Sequence, residues 1–182
     1  MHSDAVLGLE FSRDGKYMAS ASADKFVKVT DLTTGKVAKS FEGHTHHALG
    51  VAWHPHGRQI ISTGADKSVR HWNFEIGERV GQRVNFGKEV TAICYVGFTD
   101  QAVVAAGDKT VRLINASNLN DVRSFAGGTD YMYACAATPD AQFVVAGGQD
   151  STLRVWTLAN AQVVASFEAP TPAGAPKKEE KK

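Results

Sequence analysis

The sequence predicts an all-β fold of four equivalent blades, each a sheet of four antiparallel strands. Three observations predict it. Asp24, Asp66, Asp108 and Asp150 stand 42 residues apart at every step, each inside a matching phrase such as Ala-Asp-Lys-Ser-Val-Arg-His. A fixed period of this length marks a repeat architecture. Sixteen short segments rich in Val, Ile, Thr and aromatic residues lie between Gly, Asp, Asn or Pro turns, which is how strands read. No window sustains a 3.6-residue apolar period, so helix content is expected near zero. Four short strands per repeat of about 40–45 residues is the spacing of a β-propeller blade, here a half-propeller or part of a larger ring.

In the first unit the strands are expected at 6–12, 17–22, 26–32 and 36–41, and in the second at 48–54, 59–64, 68–74 and 78–86. The third offers 90–97, 101–106, 110–116 and 121–125, and the fourth 131–138, 142–148, 152–158 and 162–167. Gly15, Gly35 and Gly57 sit where hairpins need positive φ. The blades run about 2–43, 44–85, 86–127 and 128–169. Residues 170–182 form a Pro/Ala/Lys/Glu tail too poor in apolar surface to order itself.

Composition excludes several classes. The formal charge of +1 over 182 residues lacks the basic excess of a nucleic-acid binder. No stretch approaches the roughly 18–20 apolar residues of a membrane span, and no signal-like segment opens the chain. A soluble, cytoplasmic protein is expected, or a periplasmic one if a leader precedes it. Cys94 and Cys135 fall one residue out of register and read as small buried apolar residues rather than a disulfide or redox pair.

The repeats carry further residues in fixed places. A His opens the first two units (His2, His44), a Ser lies on their second strands (Ser20, Ser62), and Asp24 and Asp66 precede the third. Trp72 ends the third strand of the second unit, and Trp156 that of the fourth. In these residues the chain resembles the WD-repeat (Trp-Asp repeat) β-propeller family over 2–168. The resemblance implies a hydrogen-bonded tetrad of His, Ser, Asp and Trp that ties a blade's strands together. Only the second unit has all four: His44, Ser62, Asp66 and Trp72. The first has Thr30 for Trp, the third keeps Asp108 beside Phe86, Val104 and Ile114, and the fourth keeps Asp150 and Trp156 beside Gly128 and Ala146. Donors and acceptors match, because imidazole can donate to carboxylate and accept from hydroxyl while indole only donates. Phrase similarity around Asp24-Lys25 and Gly43-His44, and the tail, is similar to WD repeats of bacterial proteins that also carry c-type haem domains. This chain has no Cys-x-x-Cys-His.

Other patterns have structural readings. His44, His46 and His47 precede a strand that His54 and His56 follow, which separates the groups by roughly 20 Å and argues against a metal centre. Lys28, Arg70, Arg112 and Arg154 recur every 42 residues and are expected to pair with neighbouring aspartates. His44, Ser62 and Asp66 match a hydrolase triad in type, but no strained nucleophile turn accompanies them. No enzyme activity and no cofactor are expected.

The resemblance implies a docking platform for protein or peptide on the face of the 4–1 loops and 2–3 turns. Tyr131, Tyr133, Gln149, His47 and Glu89 are the candidate partner-binding residues, with Tyr133 also a candidate for the core. Four blades leave two open ends. Two copies closing an eight-bladed ring, or a longer chain of which this is the C-terminal half, both satisfy that. The function expected is a non-catalytic interaction scaffold. The alternative is the C-terminal propeller portion of a haem-containing electron-transfer protein.

Overall fold

The computed structural model describes residues 1–170, so most of the tail at 170–182 lies outside the described residues. These contain strands and no helix. The strands are β1 (Val6–Phe11), β2 (Tyr17–Ser22), β3 (Val27–Asp31), β4 (Lys36–Phe41), β5 (Ala48–Trp53), β6 (Gln59–Gly64), β7 (Ser68–Asn73) and β8 (Glu78–Arg83). They continue as β9 (Val90–Tyr95), β10 (Gln101–Ala106), β11 (Val111–Asn115), β12 (Asp121–Phe125), β13 (Met132–Ala137), β14 (Phe143–Gly148), β15 (Leu153–Thr157) and β16 (Val163–Phe167). They form four sheets in sequence order, β1–β4, β5–β8, β9–β12 and β13–β16, each an antiparallel meander.

Eleven of the expected strands prove one to three residues too long. Val6–Ser12, for instance, ends at Phe11, because the Ser12 N–H bonds the Tyr17 carbonyl inside the hairpin turn. Gly15, Gly35 and Gly57 do adopt positive φ. So do Lys25, Lys67, Lys109 and Ser151, the residues directly after the four periodic aspartates. Three of these aspartates fold the turn by accepting the N–H two residues on, Asp24 from Phe26 at 3.0 Å, Asp108 from Thr110 at 3.3 Å and Asp150 from Thr152 at 3.1 Å, while Asp66 accepts the Ser68 hydroxyl at 2.6 Å.

The first strands β1, β5, β9 and β13 pack side by side, so the blades converge on them. Three apolar layers fill the three junctions. Val27, Val29 and Phe41 meet Val51, Trp53 and Trp72 between blades 1 and 2. Ile61 and Val69 meet Val90, Ile93 and Ile114 between blades 2 and 3. Val111, Leu113 and Phe125 meet Met132, Val144 and Trp156 between blades 3 and 4. Blade 1 keeps one face uncovered and blade 4 the other.

Candidate functional site: tetrads, junctions and open faces

The second blade holds a continuous relay of donors and acceptors. The Trp72 indole N–H donates to Ser62 Oγ at 2.8 Å. The Ser62 hydroxyl donates to His44 Nε2 at 2.8 Å, and His44 Nδ1–H donates to Asp66 at 3.0 Å. One tautomer, with the proton on Nδ1, satisfies the chain. His44, Ser62 and Trp72 are all buried. Burial opposes the charge on Asp66, yet the donors of His44, Ser68 and Arg70 hold its carboxyl far below the usual carboxylate range.

The first blade repeats the relay without indole: His2 lies 2.7 Å from Ser20 Oγ and 2.9 Å from Asp24. Burial again opposes ionisation of Asp24, and the N–H groups of Ser3 and Phe26 with His2 and Ser22 overcome it. In the third blade, Phe86, Val104 and Ile114 join the apolar layer. Asp108 there holds its own turn, the Gly87 N–H at 3.3 Å and Arg112 at 3.1 Å. In the fourth blade Trp156 and Asp150 do not meet. Trp156 Nε1–H donates to the Ala126 carbonyl at 2.9 Å, and Asp150 binds Thr129 and Arg154, which hold its carboxyl low. With Gly128 and Ala146 in place of His and Ser, no group remains to bridge the two.

The four recurrent cations stay within their blades. Arg70, Arg112 and Arg154 contact Asp66, Asp108 and Asp150 at 3.0, 3.1 and 2.7 Å, and Lys28 approaches Asp24 at 4.0 Å. Among the described residues no three His, Cys, Asp or Glu side chains are grouped to hold a metal ion.

The candidate partner-binding residues separate into two places. Tyr131 OH donates to Glu89 at 3.3 Å, Tyr133 OH donates to Gln149 at 3.0 Å, and the two rings lie 5.0 Å apart. These four form one cluster at blades 3 and 4. His47 is exposed on blade 2, against His46. The core alternative for Tyr133 is overturned, since it is 55 % exposed. Its counterpart Thr91 shows why: Thr91 Oγ1 donates to the Met132 carbonyl of the following blade at 2.7 Å, and blade 4 has no following blade here. Gly107, beside this cluster, is buried because the Tyr131 ring occupies the space a β-carbon would take.

Polar contacts between blades follow no repeat. His54 Nε2–H donates to Asp100 at 2.7 Å while its Nδ1 accepts from the His56 N–H at 3.1 Å. Arg83 holds Asp121 at 2.6 Å and the Leu119 carbonyl at 3.1 Å. Arg123 binds the Leu158 carbonyl, and Glu10 accepts the Trp53 N–H. Blade 4 has Ala165 and Phe167 at the places of Arg123 and Arg83.

The two uncovered faces are built from counterparts of buried residues. Val6, Leu9 and Phe11 correspond to Ala48, Val51 and Trp53 of blade 2 and to Val90, Ile93 and Tyr95 of blade 3. Leu9 is 62 % and Phe11 64 % exposed, while Val51 and Trp53 are buried. At the other end Leu153 and Phe167 correspond to Val27 and Phe41, and to Val111 and Phe125. Phe167 is 58 % exposed, and both Phe41 and Phe125 are buried.

Comparison with known proteins agrees with this architecture. The family model described as WD domain, G-beta repeat matches residues 1–31, 35–73 and 119–157, more than half of the chain, and the chain belongs to that family. The stretch the model passes over contains the apolar replacements Phe86, Val104 and Ile114. The chain is 28% identical over 162 residues to the WD repeat-containing protein srw1 of Schizosaccharomyces pombe, covering 86% of this chain and 29% of that protein. It is 24% identical over 204 residues to the anaphase-promoting complex subunit cdh1 of Dictyostelium discoideum, covering 92% and 27%. With the human serine-threonine kinase receptor-associated protein it shares 25% over 168 residues, covering 92% and 47%. The chain thus spans less than half the length of each of these relatives. No helix among the described residues is long and apolar enough to cross a membrane.

Proposed function

We propose that this chain is a non-catalytic protein–protein interaction scaffold whose four blades complete an eight-bladed ring with a second copy. The observation that carries the reading is the uncovered pair of end faces. Their exposed side chains are the counterparts of those that fill the three closed junctions, so the front of blade 4 has the chemistry to pack on the rear of blade 1. Burying a large apolar side chain contributes about 1.5–3 kcal/mol. A two-fold ring makes this junction twice, and the closed ring leaves no apolar end.

In this reading the blades, about 2–43, 44–85, 86–127 and 128–169, are held internally by their tetrad positions, which are structural. Partner binding by protein or peptide falls to the cluster of Tyr131, Tyr133, Gln149 and Glu89, with His47 on a separate patch. Aromatic side chains are favoured interface anchors. The printed names of two relatives, a complex subunit and a receptor-associated protein, fit a protein that works by binding proteins.

The test is the light-scattering mass of the chain beside a Phe11→Asp variant. The reading expects the variant to lose the dimer and keep its fold by circular dichroism. An unchanged mass for both overturns it. A second reading, in which further blades of one longer polypeptide cover the same faces, is favoured by the greater length of the relatives. Protein from the native gene running far above 19.5 kDa under denaturing conditions would select it. The haem-containing alternative rests on phrase likeness alone, and a Soret absorbance in the native protein is its test.

A further inference from the structure

The one-residue offset between Cys94 and Cys135 separates them by repeat position and brings them together in space. Successive strand residues face opposite sides of a sheet. Cys135 corresponds to Ile93 rather than to Cys94, so Cys94 points forward from blade 3 while Cys135 points back from blade 4. Both pack against the same apolar layer between those blades. Cys135 Sγ–H reaches the Val103 carbonyl at 3.5 Å, and Val103 is the residue paired with Cys94 across β9 and β10. Both thiols are free, and both residues keep partial exposure. The neighbouring Cys94 pushes the Cys135 thiol up, and burial adds to this.

We propose that Cys94 and Cys135 form an oxidisable pair that closes an intrachain disulfide across the junction of blades 3 and 4. The co-reactant is a low-molecular-weight disulfide. A thiolate of the pair attacks one of its sulfurs and expels the other as a thiolate. The second cysteine, losing its proton, then displaces the remaining half. The pair gives up two electrons and two protons, and the reagent is reduced to two thiols. Because the Cys135 thiol is pushed up, little of it is thiolate at neutral pH, which slows attack by that sulfur. The bond fastens blade 4 to blade 3.

The test uses the full chain, treated in the folded state with oxidised glutathione and then freed of reagent. The expected product is lighter by two hydrogens on intact-mass analysis, runs as one chain on a non-reducing gel, and melts roughly 5–10 °C higher than the reduced protein. Cys94→Ser and Cys135→Ser should each remove the mass loss and the melting shift, while the reduced double variant Cys94→Ala/Cys135→Ala melts within a few degrees of the reduced parent. Mixed glutathione adducts without ring closure, interchain cross-links, or oxidation that occurs only in urea would each overturn the proposal.

Discussion

Trp72 and Trp156 occupy the same place two blades apart, yet their indoles donate to different kinds of acceptor. Trp72 bonds Ser62 Oγ at 2.8 Å and Trp156 the Ala126 carbonyl at 2.9 Å. The first belongs to a side-chain relay and the second to none. Ser62→Ala therefore strands a buried indole N–H and a buried imidazole nitrogen, at a cost of about 2–4 kcal/mol. Ser20→Ala strands His2 and gives up a 3.3 Å contact to the Lys28 carbonyl, but strands no indole, and should cost about 1–2 kcal/mol. Urea unfolding of the two variants checks this, and equal costs would refute the relay.

Asp108 keeps its turn without a tetrad. It accepts from Thr110 and pairs with Arg112 at 3.1 Å, and Lys109 beside it holds φ at 71°. Asp108→Ala should cost about 1–3 kcal/mol in the same unfolding assay. A neutral result would mean that an aspartate at this position contributes only in blades that carry a tetrad.

Glu10 gives stability an unusual pH slope. Burial at the junction of blades 1 and 2 raises its carboxyl from 4.5 to about 7, against the opposing N–H of Trp53. A raised folded value means that the contribution is fully present below pH 4.5 and is lost as pH rises through 7. The loss amounts to about 3 kcal/mol. Glu10→Gln should remove that decline and leave the protein more stable than the parent at pH 8, as measured by denaturant titration at pH 5, 6, 7 and 8.

His71 slopes the other way. Burial, then the nearby His54, lowers its value, and neither ring nitrogen has a hydrogen-bond partner among the described residues. A lowered folded value withdraws stability as pH falls below 6.5. Its counterparts Val29 and Leu113 are apolar. His71→Val should flatten the acid slope and stabilise the protein by about 1–2 kcal/mol at pH 6, read from thermal melts across pH 5–7.

Sequence alone carried the parts of this molecule that repeat. The 42-residue period located the sheets and the recurrent pairing of Arg70 with Asp66, and the family resemblance implied the relay of His44, Ser62, Asp66 and Trp72. Contacts between blades were less legible, because they join unrelated positions: nothing in the spacing of His54 and Asp100 marks them as partners. The Cys94 and Cys135 offset was legible in principle. Read as loss of equivalence it separates the thiols, whereas read through strand alternation it turns them toward each other. Tyr133 was ambiguous for a related reason, since its position is covered only where another blade follows.

The central claim is that the end faces close on each other, and sedimentation equilibrium of the wild-type chain at micromolar concentration tests it most directly. The account predicts a single species of twice the 19.5 kDa chain mass, independent of loading concentration above dissociation. A species that stays at the mass of one chain across that range, or a series that grows without limit, would contradict ring closure by two copies.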